Sequence, residues 1–130
     1  MTHDNIKIAQ QFTECFRAGD IDGVLALLSP DVVFHEPTDL PYGRDFHGRE
    51  GFLELAGAVG SKYRLDVVSD EYHDIAGRVL SMLQLQITAL ENGKSTLMPV
   101  LEVYTIIGGK IVDADIYFKN PHVMHELVSG

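Results

Sequence analysis

Glu91-Asn92-Gly93-Lys94-Ser95-Thr96-Leu97-Met98-Pro99-Val100-Leu101-Glu102-Val103-Tyr104-Thr105-Ile106-Ile107-Gly108-Gly109 reads as one long strand held between two tight turns. Asn92-Gly93 and Gly108-Gly109 supply residues that tolerate left-handed backbone, and the apolar, β-branched and aromatic side chains between them suit a pleated ladder. Outward from this stretch, a further turn around residues 74–77 separates a strand at 62–73 from one at 78–90, and Gly108-Gly109 separates 95–107 from 110–119. Four long strands joined by tight hairpins make a curved antiparallel sheet. On 95–107 the set Met98, Val100, Tyr104, Ile106 and the alternate set Leu97, Leu101, Val103, Ile107 are both apolar, whereas a half-solvated strand alternates apolar with polar. The second sheet face is therefore expected to be covered, and a homodimer partner is the simplest cover.

The first half of the chain has a different period. Ile8, Phe12, Cys15 and Phe16 fall at i, i+4, i+7 and i+8, which predicts a helix over 6–16 ended by Gly19. Asp20 is placed to cap a second short helix carrying Ile21, Val24, Leu25, Leu27 and Leu28, and Pro30 opposes its continuation. Residues 32–36 read as a short strand. Residues 37–48 form a loop whose prolines, glycines, Tyr42 and Phe46 suit a lid, and Phe52, Leu53, Leu55 and Ala56 place a third helix at 49–59. Helices early and strands late predict an α+β chain with the helices packed on one sheet face.

At 130 residues the chain is expected to be one domain spanning 1–130, and 45% apolar with 22% charged residues is the composition of an ordinary folded protein. Ten Lys and Arg against nineteen Asp and Glu leave a formal charge of −9, which opposes nucleic-acid backbones and anionic membrane surfaces as partners. The lone Cys15 permits neither an intrachain disulfide nor a thiolate metal cluster. With no leader-like start and no apolar run of membrane-spanning length, a cytoplasmic location is expected. Phosphate-cradling glycine motifs, a nucleophile elbow and a zinc signature are all missing, so no cofactor and no metal are expected.

Two carboxylates stand out. Glu36 ends the strand that opens with the apolar run Val32–Phe34, just before Pro37, and Glu102 lies within Leu97–Tyr104 with no opposite charge within four residues. Such an acid either turns out to water or a subunit contact, or is buried with a raised pKa. By alternation Glu102 shares a face with Met98, Val100 and Tyr104, and Glu36 shares one with Val32 and Phe34. His35 falls on the face opposite Glu36, in helix packing or a subunit contact. His47 in the loop is a pocket candidate without an assignable partner, and His122 and His125, three apart, lack a third metal ligand. Asp113 and Asp115 read as surface groups on the face away from Ala114, Ile116 and Phe118.

The run Ala18-Gly19-Asp20-Ile21-Asp22-Gly23, then Leu27-Leu28-Ser29-Pro30-Asp31-Val32-Val33-Phe34-His35-Glu36-Pro37, then Gly48-Arg49-Glu50-Gly51, and finally Gly93–Glu102 with Gly109-Lys110-Ile111-Val112, resembles the NTF2-like superfamily, in particular its ketosteroid isomerase and SnoaL-type polyketide cyclase branches. The resemblance implies a cone of curved antiparallel sheet closed by N-terminal helices around an apolar pocket, commonly dimeric. It places Glu36 where the isomerases keep a carboxylate general base and Glu102 where they keep the protonated acid that supports an oxyanion. Phe12 stands where the isomerases have a tyrosine donor, and the loop Leu40-Pro41-Tyr42-Gly43-Arg44 is longer, as in SnoaL-like members; Tyr104 or Tyr42 would have to supply the missing hydroxyl. The implied function is an isomerase or cyclase moving a proton on a small apolar carbonyl substrate, with Phe12, Phe34, Tyr42, Met82, Met98, Val100, Tyr104, Ile116 and Phe118 around it. The alternative is a hydrophobic ligand-binding or dimerisation module without turnover.

Overall fold

A computed structural model describes residues Thr2–Ser129. In chain order it contains α1 (Thr2–Ala18), α2 (Ile21–Leu27), β1 (Leu28–His35), β2 (Asp45–His47), α3 (Gly48–Gly60), β3 (Tyr63–Ile75), β4 (Arg78–Ala89), β5 (Ser95–Ile107), β6 (Lys110–Phe118) and α4 (His122–Ser129). The six strands form a curved, unclosed sheet in the order β2-β1-β6-β5-β4-β3. All neighbours are antiparallel except β1 and β6, which run parallel because the chain leaves β1 through α3 and three hairpin-linked strands before returning beside it. The α+β arrangement with early helices and four long late strands is the one expected from the sequence.

Local chemistry sets the element ends. Gly19 takes a left-handed φ of 68° after α1, and the Asp20 amide donates back to the Cys15 carbonyl at 2.9 Å. The Asp20 carboxylate then accepts from the Gly23 amide at 2.9 Å, capping α2. The Arg49 guanidinium donates to the Leu28 carbonyl at 3.2 and 2.7 Å, pinning the start of α3 to the start of β1.

Two features differ from the sequence expectation and a third lies outside it. Leu28 belongs to β1 and not to the second helix: its side chain is fully buried, and Pro30 lies where the β1–β6 register slips between Leu28 and Val33. The expected loop contains a short strand, β2, whose Phe46 is buried between two exposed neighbours. The C-terminal segment is a helix that packs Met124 and Leu127 on the core; the Tyr63 hydroxyl donates to the Met124 carbonyl at 2.7 Å and the Asn92 amide to that of Leu127 at 2.8 Å.

The sheet curves because two strands are bulged. Val68 drops out of the β3–β4 register between Val67 and Ser69, and Val112 drops out of the β5–β6 register between Ile111 and Asp113. The second bulge also turns Ile111 inward, onto the face of Ala114 and Ile116, although simple alternation puts it outward with Asp113.

On the concave face, beneath α1 and α3, Phe12, Phe34 and Phe52 meet with ring centroids 5.2–6.1 Å apart, and Phe12 lies 5.7 Å from Tyr104. The loop after β1 closes over one side of this face through bonds from Leu40 N to Pro37 O at 3.1 Å, Gly43 N to Leu40 O at 2.9 Å and Glu36 N to Arg44 O at 3.2 Å. A Cβ at Gly43 would strike the Pro37 carbonyl and the Thr38 backbone, with no flexible side chain to give way. Gly43→Ala is therefore expected to open this turn and lower stability by about 1–3 kcal/mol, read by chemical denaturation, with Tyr42 displaced; an unchanged midpoint contradicts it.

Candidate functional site

A cavity of about 320 Å³ opens between the concave sheet face and the helices α1 and α3. Its wall is apolar except for Thr13 and one region where Glu36, Glu102, Tyr42 and Tyr63 come together. Strand register explains how two acids 66 positions apart meet. Glu102 on β5 pairs with Ile116 on β6, while Phe34 on β1 pairs with Ala114 on the same strand. Glu36, two residues past Phe34 on the same face, thus reaches the level of Ile116 and of Glu102. The two backbones are two strand spacings apart, about 10 Å on an ordinary sheet, with the inward Ile116 on the strand between them.

The two carboxyls have different surroundings. Burial pushes Glu36 up to about 8, and the nearby Glu102 adds to the shift. Glu36 makes no ion pair or hydrogen bond through its side chain with any described residue. Burial also pushes Glu102 up, and the Tyr104 hydroxyl, which donates to Glu102 Oε1, pulls it partly back. Tyr104 is itself raised well above the ordinary phenol value by burial, then by Glu102, so it keeps its proton. Tyr42 is raised by burial and then by Glu36, and its ring packs against Tyr63 at 6.3 Å. At the site, then, phenols are neutral donors and the carboxyls are the groups that titrate.

These shifts have a sign for stability. A carboxyl whose pKa is higher folded than unfolded holds its proton longer in the folded state, so its stabilising effect is complete below the unfolded pKa and is lost as pH rises through the folded one. For Glu36 that window runs from about 4.5 to about 8. Stability is expected to fall across it with a slope near 1.4 kcal/mol per pH unit for one proton, and Glu36→Gln is expected to reduce that slope. Thermal melts of both proteins from pH 5 to 9 check this, and parallel curves contradict it.

Of the residues expected around a ligand, Phe12, Phe34, Tyr42, Val100, Ile116 and Phe118 lie on the cavity wall. Met98 and Tyr104 do not: both are fully buried behind it, and Tyr104 reaches the site through its bond to Glu102 and its ring against Phe12. Met82 is a correction. It is 41% exposed on the convex face, paired with Leu101, because the inward residues of β4 are the odd-numbered set with Leu83 and Leu85 on the wall. Sequence reasoning also passed over Thr13, Phe52, Val59, Tyr63, Leu65 and Val67 as wall residues. The helical spacing of Phe52, Leu55 and Val59 carried that signal, whereas the β3 residues depend on the bulge at Val68.

The histidines lie elsewhere. His35 is on the convex face, with Nδ1 2.9 Å from Asp45 and Nε2 2.7 Å from Asp113, tying β1 to both neighbours. Burial lowers its pKa, but the two aspartates outweigh that and raise it. His47, the loop candidate, is exposed at the N-terminus of α3 and off the cavity wall, because β2 buries Phe46 and turns its neighbours outward. His125 Nε2 donates to the Asp39 carbonyl at 2.6 Å, fastening α4 to the loop.

A helix-capped cone of curved sheet around an acid-bearing apolar cavity is the class of protein defined by this geometry. The profile of the SnoaL-like domain family matches residues 9–114, and the chain belongs to that family. Similar solved structures include an NTF2-like protein of unknown function from Burkholderia pseudomallei, 26% identical with a TM-score of 0.85 over 98% of both chains. Another is a Pseudomonas putida protein provisionally described as a polyketide cyclase, 22% identical with a TM-score of 0.82 over 98% of this chain and 99% of that one. A third, from Bacillus subtilis and provisionally described as an isomerase, is 18% identical with a TM-score of 0.83 over 98% of this chain and 94% of that one. No curated protein matches the chain. No helix among the described residues is long and apolar enough to cross a membrane.

Proposed function

We propose that the cavity catalyses proton transfer on a small apolar carbonyl compound, as an isomerase or cyclase. The observation that carries this is the pair Glu36 and Glu102 on the wall of an otherwise apolar cavity, one carboxyl without a partner and the other bound by a neutral phenol. Ionised Glu36 takes the proton from the carbon beside the carbonyl, and the electron pair moves to the carbonyl oxygen. Protonated Glu102 donates a hydrogen bond to that oxygen, which is stronger in the dry cavity than in water. Protonated Glu36 then returns its proton to a second carbon, or the enolate carbon closes a ring on an internal carbonyl, whose π electrons move to its oxygen, and that oxygen takes the proton back from Glu36. This division of roles between two carboxyls is the one known for ketosteroid isomerase. Tyr42 is the hydroxyl on the wall that can act as a second donor, since Tyr104 is committed to Glu102.

Because Glu36 titrates near 8, turnover is expected to rise with pH up to about that value. The test is deuterium uptake from D₂O into the α-carbon of compact cyclic enones, followed by mass spectrometry from pH 6 to 10. Catalysed uptake rising through pH 8 supports the reading. Tight binding of the same compounds with no uptake at any pH favours the binding module instead, a reading for which the missing tyrosine at Phe12 speaks.

The convex face carries a row, Met82, Leu101 and Tyr117, paired across β4, β5 and β6 and exposed at 41%, 39% and 52%. A homodimer partner covering this row is the oligomer we propose, and Leu101→Lys is expected to convert a dimer to monomer by light scattering. A monomeric parent protein contradicts it.

A further inference from the structure

The charge of the cavity has a consequence for what it will hold. Glu36 and Glu102 are the two formally charged side chains on its wall, and no Lys, Arg or His among the described residues lines it. An anionic ligand entering would lose its water beside two acids and gain no cation, which is costly in an apolar space. A ligand that brings its own positive charge meets the opposite situation.

We propose that the cavity is a binding site for compact lipophilic ammonium ions, with the nitrogen held between Glu36 and Glu102 and the hydrocarbon frame against Phe12, Phe34 and Phe52. The inference uses the same cavity as the proton-transfer reading but does not depend on catalysis.

Three observations support it. Glu36 has no counter-ion and holds a proton in place of one, so an ammonium group substitutes for that proton and makes a charge-assisted hydrogen bond to the carboxylate. The three phenyl rings lie within 5.2–6.1 Å of one another and give the hydrocarbon frame one continuous aromatic wall. Every titratable group facing Glu36 is an acid or a neutral phenol: Glu102 and Tyr104 from β5, Tyr42 from the loop, with Tyr63 and Tyr72 from β3 next to these. None of them repels a cation. The frame must be apolar and compact because an ammonium ion gives up strong hydration on entry, and that cost is offset only when the rest of the ligand fills the cavity.

The binding carries a proton signature. At pH 7 Glu36 is mostly protonated, so an incoming ammonium displaces about one proton, and affinity increases as pH rises toward 8.

The test is isothermal calorimetry at pH 7 with three probes of one shape: 1-aminoadamantane, 1-adamantanol and adamantane-1-carboxylate. Each is titrated in two buffers of different ionisation heat. The expected result is an amine that binds at least about tenfold tighter than the alcohol, releases about one proton per molecule bound, and a carboxylate that shows no binding. Glu36→Gln is expected to weaken the amine about tenfold and leave the alcohol within about twofold. The proposal is overturned if the alcohol matches the amine, if the carboxylate binds, if the amine binds with no proton release, or if none of the three binds. The probe series and proton count on the unaltered protein decide the matter even if the variant does not fold. Uptake of deuterium by a neutral enone is unaffected by any of these outcomes, so failure here and failure of the proton-transfer reading are separate results.

Discussion

Glu36→Gln is expected to abolish α-proton exchange while the cavity continues to bind a planar phenol such as 2-naphthol. Glutamine keeps the size and shape of the side chain but has no basic oxygen to accept a proton from carbon, and a positioned general base contributes about 10²–10⁴ in rate. Removing the carboxyl also relieves the desolvation of an acid that has no partner, so the fold is not expected to suffer. The measurement is the exchange rate of the best enone beside the fluorescence-monitored affinity for 2-naphthol, in both proteins. An unchanged exchange rate contradicts the role of Glu36, and equal loss of exchange and affinity shows a collapsed cavity.

Phe12→Tyr is expected to act in the opposite direction and raise the exchange rate by about tenfold or more. Loss of one oxyanion donor costs other enzymes about 10²–10³ in rate, and the resemblance to ketosteroid isomerases implies that Phe12 stands at the helix position where they carry such a donor. The ring is on the cavity wall, 7% exposed, with its centroid 5.7 Å from that of Tyr104. A hydroxyl there enters a region that already holds Glu102 and Tyr104, so it finds polar partners and not a hydrocarbon wall. Part of the full gain is already supplied in the parent protein if Tyr42 donates, which is why the expected increase is smaller than the loss seen elsewhere. A rate that stays flat with the cavity intact means the oxygen of the substrate does not point toward α1.

The fold was legible because its signals are local. Asp20 and Gly19 mark the break between α1 and α2, and the turns at Asn92-Gly93 and Gly108-Gly109 delimit β5. Glu36 and Glu102 were legible for a related reason: alternation put each acid among bulky apolar neighbours before any contact was known. The face of Met82 is legible within β4 itself: Leu83, Leu85, Ile87 and Ala89 alternate with Gln84, Gln86 and Thr88, which puts Met82 with the outward set, and placing it on the wall misreads that alternation. The other failures depended on context beyond the strand. The bulges at Val68 and Val112 reverse the face of everything beyond them, so Leu65 and Val67 reach the wall and Ile111 turns inward. Phe46 looked like lid chemistry and is a core residue of β2, while Arg44, 3.9 Å above its ring, covers it from solvent. The helix α4 rests on tertiary bonds from Tyr63 and Asn92, partners some sixty and thirty-five residues away.

Proton transfer by Glu36 and Glu102 requires a carbonyl-like oxygen to sit at a particular place in the cavity, and a crystal structure of the protein with 2-naphthol bound measures where it sits. The prediction is a ring lying beside Phe12, Phe34 and Phe52, its oxygen at hydrogen-bond distance from the Glu102 carboxyl and its edge within reach of Glu36. A naphthol oxygen bound away from Glu102, or a ring that leaves Glu36 facing solvent, contradicts proton transfer by this pair.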